Sequence, residues 1–112
     1  MRDEVPVAGL REWLSLLAGR LRGLKVDGES MSPTLRSGDK VLLDPRATLN
    51  VGDVVAASHP FKSKITLIKR LVSIGPDGRI FLGGDHPGES TDSRSFGTID
   101  RDQVIGKVVA KI

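Results

Sequence analysis

Over the first part of the chain the apolar positions recur at steps of three and four: Leu10, Trp13, Leu14, Leu17, Leu21 and Leu24. That spacing lines up one stripe of an α-helix and predicts an amphipathic helical segment over residues 1–25. Arg11, Glu12, Arg20 and Arg22 fill other positions. Two readings of the stripe stay open: a helix packed on its own domain, or a basic amphipathic face resting on a membrane or a partner protein. Gly9, Gly19 and Gly23 weaken the helix and blur its ends.

Beyond Gly23 the period shortens. Val41 and Leu43 follow a Ser37-Gly38-Asp39 turn, and "VVAAS" follows Gly52-Asp53. Then come "KITLIKRLVSI", the turn "GPDG", "RIFL" and finally "VIGKVVAKI". Short strands joined by connections too short for crossover helices predict a small, mainly β domain over residues 26–112, built as a coiled antiparallel sheet or partly open barrel. One connection breaks this economy. "GGDHPGESTDSRSFGTID" is long, polar and glycine-rich, and such loops in small domains tend to carry function.

Composition narrows the classes. A chain of 112 residues suits one core, and 38% hydrophobic with 28% charged residues argues for a folded chain rather than a disordered one. The absence of cysteine excludes disulfides, thiolate metal sites and a cysteine nucleophile. Seventeen basic against 14 acidic residues give a net charge of +3, scattered along the chain with 4% aromatics, so the basic stripe and stacking platform of a nucleic-acid binder are not expected. No apolar run approaches the ~20 residues that span a bilayer, and the start lacks the basic-then-apolar order of a secretory signal. The expectation is a soluble, cytoplasmic protein.

Candidate chemistry begins in "KITLIKRLVSI". A period of two puts Ile65, Leu67, Lys69 and Leu71 on one face and Thr66, Ile68, Arg70 and Val72 on the other. A lysine in an apolar row either sits at an edge and snorkels to water or is buried. Burial would lower its pKa from about 10.4 and make a neutral amine, a general base able to activate a serine hydroxyl. The loop "GESMSPTLRSGD" offers Ser30 and Ser32, although its turn-forming composition alone selects neither. It is not the Gly-x-Ser-x-Gly elbow that accompanies a histidine base. Asp85, His86 and His59 match no metal-ligand spacing, so no metal is assigned.

Taken together, "GESMSPTLRSGDKVLL", "LIKRLVSIGPDG" and "GGDHPGESTDSRSFG" resemble, in order, the three conserved boxes of the type I signal peptidases, which are serine-lysine proteases. The resemblance covers roughly residues 26–111 and implies that these form the catalytic domain. It implies Ser30 as nucleophile, Lys69 as general base and Ser90 as the hydroxyl that orients the lysine. It further implies that Asp92 and Arg94 are paired charges holding the third box, with Arg70 a salt-bridge partner of Asp92. The Ser30 backbone N–H would serve the oxyanion hole. Gly28 stands where some members place a second donor, and Gly28, Met31 and Pro33 are the implied substrate contacts. Substrate would bind as an extended strand, and no cofactor is implied.

The secretory members carry a membrane anchor and a larger region between the second and third boxes. The expectation here is a minimal catalytic core. "VDGESMSPTLRSGD" and "DHPGESTDSRSFG" resemble most the small maturation proteases of nickel-type superoxide dismutase. A dismutase precursor with an N-terminal leader would then be the substrate. Other readings are a general signal peptidase-like enzyme, a self-cleaving protease cutting at Ala8-Gly9 or Ala18-Gly19, and a non-catalytic peptide-binding module of the same fold.

Overall fold

Antiparallel pairing organises the chain. The computed structural model describes residues 5–86, 88 and 91–112. Its elements in chain order are α1 (Leu10–Leu17), β1 (Arg22–Lys25), β2 (Lys40–Asp44), β3 (Val54–Ser58), β4 (Thr66–Ile74), β5 (Ile80–Gly83), α2 (Ser93–Phe96) and β6 (Val104–Lys111). The strands form one six-stranded sheet in the order β1-β2-β6-β3-β4-β5. Each neighbouring pair is antiparallel. The expected mainly β class with an N-terminal helix is what forms.

The chain returns its last strand to the middle of the sheet. β6 alternates buried and half-buried residues and lies between β2 and β3, where register shifts at Leu42/Leu43 and Ala56/Ala57 bend the pairing. Gly106 sits where this bending brings backbones together. A Cβ there would meet the Asp44 carbonyl oxygen at 3.0 Å and the Pro45 nitrogen at 3.1 Å, so glycine lets the strands close.

Apolar residues fill both faces. Val26, Met31, Leu35, Val41, Leu43, Val54, Ala56 and Val108 form one buried cluster. Val55, Ala57, Leu71, Ile80, Leu82, Ile99 and Val104 form another. The two sets take alternate residues of β3, as the pleat requires.

At the N-terminus the structure departs from the periodicity in two ways. The stripe ran through to Leu24, but α1 stops at Leu17 because Gly19 adopts φ of 75°, a backbone conformation glycine enters without a Cβ clash. The Gly19 and Arg20 N–H groups donate to the Leu16 and Ser15 carbonyls, each at 3.0 Å, which closes the helix end as a Schellman turn. Arg22–Lys25, on the helical side of the expected boundary, is instead the first strand of the sheet.

The second departure concerns which side of α1 meets the domain. The packed-helix reading put the leucine stripe inward. In the structure α1 has no buried residue, and Leu10, Trp13, Leu14 and Leu17 are all exposed. Only Leu16, from another face, packs against the cluster of Leu21, Leu42 and Ala110.

Candidate active site

The loop that carries Ser30 is closed at its base by backbone pairing. The Val26 N–H donates to the Asp39 carbonyl at 2.7 Å, and the Gly38 N–H donates to the Val26 carbonyl at 2.8 Å. Within the loop one helical turn forms, with the Leu35 N–H donating to the Met31 carbonyl at 2.9 Å. Met31 and Leu35, four residues apart, point the same way and are 1% and 0% exposed. They pin the turn to the core while Ser30 remains half-exposed beside them.

Lys69 comes from β4, opposite Val55 of β3. It is 5% exposed although it lies on a stretch of β4 with one neighbouring strand, so the snorkelling reading does not hold. β5 joins β4 only from Arg70 onward, which leaves the Thr66–Lys69 half of β4 paired with β3 alone. That open edge and the edge strand β1 border a cleft of about 250 Å³. Ser30, Met31 and Lys69 line it, with Leu24 to Asp27 along one wall and Ile65 to Ile68 along the other.

Electrostatics at the amine are set by burial. Loss of water pushes the Lys69 pKa below its ordinary value; the Asp92 carboxylate pulls it back up, and Arg94 adds a smaller downward push. Lowering its pKa raises the share of neutral amine that can accept a proton, and a serine hydroxyl in the same cleft can give one.

Asp92 is 1% exposed and fully engaged. It accepts the Gly84 N–H at 3.0 Å, caps α2 by accepting the Arg94 N–H at 3.0 Å, and holds the Arg94 guanidinium at 2.9 Å. The hydroxyl of Ser93, also buried, accepts the Leu82 N–H at 2.8 Å and ties α2 to β5.

The ion pair expected between Arg70 and Asp92 is replaced. Arg70 pairs with Asp85, Nη2 donating at 2.7 Å and Nε at 3.2 Å, and its Nη1 donates to the Gly52 carbonyl at 2.7 Å. Asp85 also accepts the Thr34 hydroxyl, and the His86 N–H donates to the Ser30 carbonyl at 2.8 Å. The third-box loop is thereby fastened to the serine turn and to the residue after Lys69. Thr34 and Asp85 were not singled out for this role. Their one sequence signal was their presence inside the first and third boxes.

The remaining expected residues fall as follows. Met31 lines the cleft, whereas Gly28 and Pro33 are exposed and outside its lining. Ser90 lies outside the described residues. His59 is occupied locally, its Nδ1 accepting the Phe61 and Lys62 N–H groups at 3.1 Å.

A buried lysine and a serine turn share one cleft at the open part of a β sheet, and comparison places the chain. The sequence matches the family model described as signal peptidase, peptidase S26, over residues 13–78 and 75–112. The chain belongs to that family and is by descent a signal peptidase-like protease.

Similar curated proteins include mitochondrial inner membrane protease subunit 1 of Schizosaccharomyces pombe, 32% identical over 76% of this chain and 69% of that protein. Another is the subunit 1 of Xenopus tropicalis, 27% identical over 76% of this chain and 65% of that protein. Subunit 2 of the same protease from Danio rerio is 32% identical over 74% of this chain and 59% of its own length. These names overturn the cytoplasmic expectation, because the relatives are named for an inner membrane. They support the family and differ from the narrower nickel superoxide dismutase subgroup. Among the described residues, no helix is long and apolar enough to cross a membrane.

Proposed function

We propose that the protein is a serine endopeptidase that works through a Ser30–Lys69 dyad and removes an N-terminal leader from a precursor protein. The observation that carries this reading is a buried, pKa-lowered Lys69 at the cleft that Ser30 also lines. Ser30 Oγ attacks the scissile carbonyl carbon as neutral Lys69 takes the hydroxyl proton. The tetrahedral intermediate collapses, breaking the C–N bond, and Lys69 returns the proton to the departing amine. A water molecule, deprotonated by the same lysine, then attacks the acyl carbon; the bond to Ser30 Oγ breaks and Lys69 returns the proton to Oγ.

The Ser30 N–H supplies one donor to the developing oxyanion. Ser90 orients the lysine amine, and Arg70, Asp92 and Arg94 support the frame. Met31 contacts the substrate, which enters as an extended strand between β1 and the open half of β4, and Gly28 and Pro33 meet only parts of it that lie beyond the cleft. The chemistry calls on no cofactor.

Two substrate sources follow from different observations. The first- and third-box stretches suggest a nickel superoxide dismutase precursor, and the relatives' names suggest a precursor delivered to a membrane. The test is to incubate the protein and its Ser30→Ala variant with the dismutase precursor and to read intact masses. Loss of a single leader, only with Ser30 present, supports both enzyme and substrate. No cleavage, with Ser30 still taking an acyl group from an activated acyl inhibitor, keeps the peptidase and removes this substrate. Neither cleavage nor acylation contradicts the dyad and leaves the peptide-binding module. Self-cleavage at Ala8-Gly9 or Ala18-Gly19 appears in the same spectra as a shortened enzyme.

A further inference from the structure

Helix α1 is attached to the domain the wrong way round for a helix whose apolar stripe serves its own core. At 3.6 residues per turn, Leu10, Trp13, Leu14 and Leu17 fall within about 100° of arc. Their exposures are 75%, 42%, 57% and 83%. The side turned toward the sheet carries half-buried Glu12 and Ser15 as well as Leu16. Glu12 and Ser15 line a cleft of about 500 Å³ together with Arg20, Asp44 and Arg46. A monomer gains nothing by docking polar groups and presenting three leucines and its one tryptophan to water; such a patch marks a binding surface.

Charge selects the occupant. Along residues 10–25, which carry the stripe, Arg11, Arg20, Arg22 and Lys25 are exposed, against one acid, Glu12, whose carboxylate accepts the Gly9 N–H at 3.0 Å. An apolar face bearing leucines and a tryptophan and bordered by arginines fits the boundary between acyl chains and anionic headgroups. From the helix end the chain runs straight into β1, whose Lys25 lines the cleft with Ser30.

We propose that α1 lies in the plane of an anionic lipid surface, with Leu10, Trp13, Leu14 and Leu17 immersed, and so holds the Ser30 cleft beside the membrane. The proposal stands apart from the dyad, because lipid binding needs no turnover.

The test uses the full chain with vesicles of phosphatidylcholine mixed with phosphatidylglycerol, and of phosphatidylcholine alone, read by co-sedimentation and Trp13 fluorescence. The expected result is binding to the anionic vesicles with a blue shift of the single tryptophan, weakening as salt is raised. Replacing Leu14 and Leu17 by serine should weaken partitioning roughly tenfold for each leucine, with the far-ultraviolet circular dichroism of the sheet retained. Absence of binding to either vesicle overturns the proposal. So does binding that survives both substitutions but falls with Phe61→Ser, which would move the contact to the exposed tip between β3 and β4. A dimer in sedimentation that Leu17→Glu dissolves, with no vesicle binding, would assign the face to a second copy instead.

Discussion

Lys69 and the α1 stripe invert the usual partition of a small domain in opposite senses. At the cleft a cationic side chain is 5% exposed, while on α1 a leucine is 83% exposed. The structure treats the two exceptions differently. Around Lys69, hydrogen bonds and ion pairs tie the serine turn, β4, the third-box loop and α2 together, so an unfavourable burial is held in one geometry. At α1, backbone hydrogen bonds between Pro6, Ala8 and Lys111 fix the segment before the helix, while of the helix itself Leu16 packs on the sheet's apolar cluster and the leucine stripe is exposed. A rigid frame suits a group whose protonation state must be controlled. An amphipathic helix with its apolar stripe turned to solvent suits a surface whose partner is yet to arrive.

Several substitutions test that contrast. Removing the nucleophile or the base gives the largest change. Ser30→Ala and Lys69→Ala should each lower leader removal by about a thousandfold or more while the sheet stays folded, measured by product mass against time. Cleavage at the normal rate by either folded variant would sink the dyad.

The frame comes next. Arg70 and Asp85 have side chains 11% and 5% exposed, so Asp85→Ala takes the carboxylate from a largely buried guanidinium and should destabilise the fold by about 3 kcal/mol in urea unfolding. The pair of Arg79 and Asp100 is the control. Its side chains are 42% and 65% exposed, and Asp100→Ala should cost less than about 1 kcal/mol. Equal losses would mean that the Asp85 network has no special structural weight.

Lys69 makes a prediction in pH. Its folded pKa lies below the unfolded value of 10.5, so the folded state holds fewer protons between the two values and stability rises with pH across that window. Below the folded pKa the burial cost is fully present. Lys69→Met should therefore be more stable than the natural protein at neutral pH, with an advantage that shrinks as pH climbs toward 10.5. A pH-independent difference between the two melting curves would contradict a desolvated lysine. On the helix, Leu17→Ser should change stability by no more than about 0.5 kcal/mol, because the side chain leaves no core position.

Much of this could be read from residue order, and the failures have physical causes. Strand periodicity set Lys69 in an apolar row, and the turns around β2 to β6 bounded the sheet well. Whether that lysine snorkelled or was buried depended on which strand lay beside β4, and a single strand's alternation does not contain its neighbours. β1 escaped notice because it has four residues and its Leu24 continued the helical spacing past the Gly19 turn. Arg70 had four acids in the same polar loop to choose from, Asp85, Glu89, Asp92 and Asp100. Periodicity cannot order a loop, so Asp85 rather than Asp92 emerged only with the fold. The stripe on α1 was visible, but its outward direction is a tertiary property.

The most direct measurement of the central claim is the rate at which Ser30 accepts an acyl group from a small activated inhibitor, followed by mass across pH. With Lys69 as the base, the rate rises with pH through one ionisation below the ordinary lysine value of 10.5, and the rise is absent in the Lys69→Met variant. A flat profile, or an unchanged rise in Lys69→Met, would contradict Lys69 as the base.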